Sequence, residues 1–116
     1  MLVYDTDMTQ DSLGELEQLV LLVIVRLGPD SSGVPIIEEL RQHTRRPILR
    51  PSVYLALRRL EDKGMIRSRL GEPEARRGGR ARRHLQATAA GLKALRESHR
   101  TMSRLLDGTA LDKGKA

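Results

Sequence analysis

The stretch Ala75–His84 reads ARRGGRARRH, five arginines around a Gly-Gly pair. Arginine carries a permanent charge on a planar fork that matches phosphate oxygens. Glycine lets a backbone turn sharply and come close to a ligand. That is chemistry for holding a polyanion, not for making or breaking bonds. The groups that catalysis needs are missing or scattered. The chain has no cysteine, which removes thiol nucleophiles, thiolate metal sites and disulfides together. His43, His84 and His99 fall on separate predicted elements without metal-ligand spacing. Glu38-Glu39 reads as a helix surface rather than an acid/base pair, and no nucleophile elbow, phosphate loop or dinucleotide fingerprint occurs. The sequence reads as a non-enzyme with no cofactor and no metal.

Charge is unevenly spread along the 116 residues. Residues 1–40 hold one arginine against eight acids, a net of −7, and residues 41–83 hold fourteen Lys/Arg against four acids, a net of +10. The remainder carries +3. A basic middle after an acidic start points to one surface built for a polyanion, although a merely solvated basic face would carry the same charges. The longest apolar run, Leu19–Val25, is too short to span a bilayer, and acids rather than basic residues precede it. The expected location is the cytoplasm. With no Phe and no Trp, the core must be built from Leu, Ile and Val.

Such a surface needs elements to carry it. Residues 1–11 read as a loose arm. Ser12 and Glu15 have the spacing of a capping box, opening a helix whose Leu13, Leu16, Val20, Val23, Ile24 and Leu27 recur at helical spacing. Leu19, Leu21, Leu22 and Val25 fill most of the remaining circumference, so a second side of this helix needs cover, and a partner subunit would supply it. GPDSSG (28–33) is a turn. A second helix with Pro35 in its first turn runs to about Thr44, its Ile36, Ile37 and Leu40 facing inward. RRPILRP (45–51) breaks it, and a third helix over 52–63 stops at Gly64, with Val53, Ala56, Leu57 and Leu60 as its buried stripe. MIRSRL (65–70) and RHLQA (83–87) alternate as half-buried strands. Thr88 caps a last helix with Leu92, Leu95, His99, Met102 and Leu106 along one seam, ended by Gly108.

The fold class is mainly α with a small β-hairpin, in the order helix-helix-helix-strand-strand-helix. This is the plan of a winged helix-turn-helix. It assigns 12–87 to a DNA-binding domain, 88–107 to a C-terminal dimerisation helix and 108–116 to a disordered tail.

Three blocks in this order resemble the PadR-like transcriptional regulators. LGELEQLVLLVIVRLG is similar to that family's first helix. SVYLALRRLEDKGMIRSRL is similar to its recognition helix and first wing strand. GGRARRHLQATAAGLKAL is similar to its wing tip, second strand and final helix. Ser32, Pro51 and the His84-Leu85 pair depart from the residues usual at those positions, an aromatic, a glycine and a Tyr-Tyr pair. The last helix ends soon after Leu106, as in the short members of the family. The resemblance implies a dimeric repressor on double-stranded DNA, in a family that often answers to a small-molecule effector, here of unknown identity.

On that plan the 52–63 helix enters the major groove, with Ser52 and Tyr54 able to hydrogen-bond and Arg50 and Arg58 long enough to reach bases or phosphates. Arg45 and Arg46, at the turn before it, are placed to meet a phosphate or to cap the second helix. Arg76, Arg77, Arg80, Arg82 and Arg83 of the wing, whose tip is 71–81, supply charge along the backbone or enter the minor groove. Leu19, Leu22, Val23, Leu92, Leu95, His99, Met102 and Leu106 are the expected dimer contacts. A two-fold dimer separates its recognition helices by one DNA turn, ~34 Å, and calls for an inverted-repeat operator. Two other readings stay open. One is a sequence-independent architectural protein acting through the arginine wing. The other is a protein-interaction module with a basic docking face.

Overall fold

The computed structural model describes residues 13–70 and 83–112. Among them the elements follow the expected order: α1 (Glu15–Leu27), α2 (Gly33–His43), α3 (Arg50–Asp62), β1 (Ile66–Leu70), β2 (Arg83–Ala87) and α4 (Ala89–Leu106). One 3-10 turn, Gly28–Asp30, joins α1 to α2. None of these helices is long and apolar enough to cross a membrane.

Helix α1 starts later than Ser12 and Glu15 suggest. Its N-cap is Gly14, and the side chain that reaches back is Glu17, whose Oε1 accepts the Gly14 N–H at 3.4 Å. Glycine has no hydroxyl to return the second bond of a capping box, and Ser12 lies outside the described residues. Glu17 is turned inward because Lys63 Nζ, at the end of α3, meets the same oxygen at 2.6 Å. The pair is largely buried and clamps the start of α1 to the end of α3.

Helix α3 likewise begins at Arg50 rather than Ser52. Leu49 is its N-cap, its carbonyl accepting from Ser52 N–H at 3.0 Å and Val53 N–H at 3.2 Å. Pro51 therefore sits inside the first turn, where a missing N–H leaves no carbonyl unpaired. The residue that seemed to break the chain starts the helix.

The core is aliphatic. Val20, Leu21, Ile36, Ile37, Leu40, Val53 and Leu60 are at most 1% exposed, and Met65, Ile66 and Leu85 close one end. Two residues of α1 need correction here. Val23, expected at a dimer contact, is 6% exposed and packs in this core, one helical turn from Val20. Leu21 is also buried by the chain itself. The unsatisfied side of α1 shrinks to Leu22, Val25 and the half-buried Leu19.

The strands pair antiparallel, with Ile66 opposite Ala87, Ser68 opposite Leu85 and Leu70 opposite Arg83. Directly opposed residues point to the same face, so Ile66 and Leu85 face the core. Arg67, Gln86, Arg69 and His84 share the other face. A further bond ties β2 inward: Leu85 N–H donates to the Ser31 carbonyl at 2.9 Å.

The turn between α3 and β1 joins four elements. Gly64 has φ +76°, a left-handed conformation that favours glycine. It lets Met65 N–H return to the Leu60 carbonyl at 2.9 Å and Gly64 N–H to that of Glu61 at 3.0 Å, the paired bonds of a Schellman cap. Thr88 then grips this turn from β2. Its N–H donates to the Met65 carbonyl at 3.0 Å, its hydroxyl donates to the Gly64 carbonyl at 2.7 Å, and the same oxygen caps α4 by accepting Gly91 N–H at 3.1 Å. Gly91 packs so tightly here that a Cβ would overlap the Met65 carbonyl.

Alanine at position 91 would gain about 1 kcal/mol of helix propensity but its Cβ overlaps a rigid backbone carbonyl and must lift α4 away, an overpacking cost toward the top of the usual range, about 2–3 kcal/mol. Gly91→Ala is expected to destabilise the fold by about 1–2 kcal/mol in urea unfolding followed by circular dichroism. A variant as stable as the parent would show that this packing is not under constraint.

Candidate nucleic-acid interface

Arg50, Tyr54 and Arg58 recur every four residues along α3 and lie exposed in a stripe beside the buried one formed by Val53, Ala56, Leu57 and Leu60. One helix face therefore carries two cations and a phenol. Ser52, in the first turn, is half-buried. Tyr54 has a specific seat. Its ring and hydroxyl lie against Gly33 at the start of α2, where any side chain would collide with them. The tyrosine is 44% exposed and leans from α3 onto the N-terminal turn of α2.

The turn before α3 presents both Arg45 and Arg46 to solvent, but they differ. Arg46 Nη1 pairs with Glu15 Oε1 on α1 at 2.9 Å. The Arg46 hydrogen bond and charge hold the Glu15 carboxyl below its usual range, and the same contact raises Arg46 further. The C-terminus of α2 is closed by Thr44, whose N–H and hydroxyl donate to the Leu40 carbonyl at 3.0 and 2.9 Å. Arg41 Nε and Nη2 hold the following connection by donating to the Ile48 carbonyl at 3.3 and 3.0 Å. Arg46 is thus free of that duty but engaged by an acid.

Of the wing arginines only Arg83 can be placed; Arg76, Arg77, Arg80 and Arg82 lie outside the described residues. Arg83 shares the inward face of the sheet with Leu85 and donates from Nη1 to Ser68 Oγ at 2.8 Å. Two basic residues join it that were not nominated from the sequence. Arg67 and Arg69 stand exposed on the opposite face of β1, and the alternation of MIRSRL was the signal that places them there. Lys63 is accounted for by its buried pair with Glu17, a partner 46 residues away that spacing along α3 could not suggest.

The histidines occupy unrelated places. His43 pairs with Glu39 at 3.2 Å beside Arg26, whose Nε reaches the same carboxylate at 2.9 Å. The Arg26 hydrogen bond is the main cause that holds Glu39 below the ordinary carboxylate range. His84 is half-buried on the outer face of the sheet, opposite Arg69.

On the far side of α1, an apolar groove of about 500 Å3 runs between Leu19 and Leu22 and the α4 residues Leu95, His99 and Met102. Leu22 is 48% and Met102 59% exposed, and Leu106 lies 37% exposed further along α4. Leu92 is half-buried nearer the sheet. Seven of the eight residues expected at a dimer contact are thus at least partly open to solvent, Val23 being the exception.

A family model, that of the transcriptional regulator PadR-like family, matches residues 20–97. The chain belongs to this family. Solved structures agree. A PadR family transcriptional regulator from Eggerthella lenta is 31% identical, superposes with a TM-score of 0.62, and the match covers 81% of each chain. A transcriptional regulator from Clostridium thermocellum is 25% identical at a TM-score of 0.66, covering 89% of this chain and 91% of the other. A PadR family transcription regulator from Clostridium difficile, at 23% identity and a TM-score of 0.64, shares the fold over 81% of this chain and 96% of its own. No curated protein matches the chain. The resemblance read from three sequence blocks is therefore correct. This PadR-family protein is a transcription regulator, not an enzyme, on a winged-helix fold.

The Gly33 contact yields a test confined to Tyr54. Gly33→Ala meets only the far end of a movable side chain, so it should change the unfolding free energy by less than about 1 kcal/mol. The Tyr54 ring resonances should shift markedly in proton NMR. Unshifted resonances would show that Gly33 does not seat the ring.

Proposed function

We propose that this PadR-family regulator is a homodimeric repressor that occupies an inverted-repeat operator, with α3 in the major groove and the wing on the flanking backbone. The observation that carries this is the exposed stripe Arg50, Tyr54 and Arg58 on α3, beside a stripe committed to the core. Arg50 and Arg58 have the reach and fork geometry to take a guanine edge or a phosphate, and Ser52 and Tyr54 supply hydroxyls. Arg45 and Arg46 before α3, and Arg83 beyond it, extend the positive surface in both directions along a duplex, while Arg67 and Arg69 offer charge on the other face of the sheet. The Gly-Gly tip with Arg76, Arg77, Arg80 and Arg82 continues that surface in sequence.

Dimerisation is the companion proposal. Leu19, Leu22, Leu95, Met102 and Leu106 form an apolar face of the kind that soluble monomers seldom leave open. A second copy related by a two-fold axis would cover it and set two α3 helices on successive half-sites. His99 would lie at that seam, and Leu92 at its inner end. An apolar small-molecule effector would find its seat in the same groove.

Selection of bound duplexes from a randomised library is expected to return an inverted repeat with half-sites about 10 base pairs apart. Arg58→Ala should weaken binding to that site by about 1–3 kcal/mol and relax preference at one position per half-site. A library that returns no consensus would favour an architectural protein, for which Arg58→Ala leaves sequence preference unchanged. For the dimer, Leu22→Asp should shift the sedimentation mass from two chains to one.

Glu15 generates a separate expectation. A phosphate arriving at Arg46 must displace a carboxylate already paired with it at 2.9 Å. Glu15→Gln should tighten duplex binding several-fold and steepen the salt dependence by about one released ion. The gain should vanish in an Arg46→Gln background. A gain that persists there would come from overall charge alone.

A further inference from the structure

Glu61 is an acid within the most basic stretch of the chain, on the C-terminal turn of the helix proposed to read DNA. By charge alone it weakens that surface. The structure gives it a partner. Ser68 Oγ, on β1, donates to Glu61 Oε2 at 2.9 Å, and the same oxygen accepts from Arg83 Nη1, on β2, at 2.8 Å. One hydroxyl thus bridges a carboxylate and a guanidinium across three elements. A hydroxyl suits this place because it donates and accepts at once.

Strand pairing holds β1 to β2, but pairing says nothing about how the sheet tilts on α3. The covalent link between them is the short turn through Lys63, Gly64 and Met65. Among the described residues, this relay is the side-chain hydrogen bonding that joins the outer part of the sheet to α3. Arg83 is the first residue of β2 and follows directly on the arginine-rich segment. It gives one of its five N–H donors to Ser68.

Resting on the DNA-binding reading above, we infer that Glu61 and Ser68 are positioning residues for the wing. They fix the sheet against α3 so that groove contacts from α3 and backbone contacts from the wing fall in register on one duplex. Both groups are near the surface, so the relay adds little to folding stability. Its effect lies in where the wing meets DNA.

The test uses the full chain on a duplex of the gene's own upstream region, read by hydroxyl-radical footprinting and by affinity at several salt concentrations. Ser68→Ala should lose protection at the flanks contacted by the wing, bind three- to tenfold more weakly, and show a salt dependence shallower by about one ion. Protection at the half-sites read by α3 should remain. Ser68→Thr, which keeps the hydroxyl, should restore the flanks. Glu61→Ala removes a negative charge and by electrostatics should tighten binding, yet the relay requires it to lose flank protection. Unfolding midpoints in urea establish that each variant is folded. Full flank protection in folded Ser68→Ala or Glu61→Ala, or no rescue by Ser68→Thr, would overturn the positioning role with DNA recognition left intact. A wild-type protein that leaves no footprint would overturn both.

Discussion

The Gly64–Met65 turn ties together the elements proposed to carry function. It is the point where α3 stops, the sheet begins and α4 docks. The Schellman bonds returning from Gly64 and Met65 to α3 use the last carbonyls of the helix, so the helix end is closed without a long side chain. Thr88 then bonds to the carbonyls of both turn residues while capping α4. A left-handed glycine, a threonine and a glycine without room for a Cβ thereby tie the DNA-facing elements to the helix that bears the apolar groove.

The parts legible in the sequence were those with local causes. Gly64 and Gly108 as helix stops, Thr88 as a cap and RHLQA as a strand each depend on residues close in the chain. The inward stripes of α2 and α3 follow from helical spacing alone. Boundaries proved harder where two signals competed. Ser12 and Glu15 have the spacing of a capping box, but Glu17 is drawn inward by Lys63 and the helix starts at Glu15 instead. Pro51 reads as a breaker or as a first-turn residue with equal ease, and only the Leu49 carbonyl decides between them. Val23 and Leu21 show the same limit. An all-round apolar helix announces that more than one side is covered, but not which residues its own chain covers.

The functional surface was legible as composition more than as geometry. A run of arginines announces affinity for an anion, yet long-range contacts divide their labour. Arg46 meets Glu15, Arg83 meets Ser68, and Lys63 is taken by Glu17. Each partner lies on another element, beyond the reach of any spacing rule. The acids of α1 and α3 thus do more than dilute the positive charge. Glu17 clamps two helices, Glu15 occupies an arginine that a phosphate would want, and Glu61 ends a relay from the wing. Among the described residues, Arg50, Tyr54 and Arg58 stay exposed together along α3, the surface proposed above to meet DNA.

The central claim is that this surface reads sequence rather than merely attracting phosphate. The most direct measurement is a titration of the wild-type protein against a labelled duplex of its own upstream region and a scrambled duplex of equal length, at several salt concentrations. Site-specific regulation predicts a preference of roughly a thousandfold or more for the upstream DNA, with a part of the affinity that survives as salt rises. Equal affinity for both duplexes, collapsing together with salt, would contradict it.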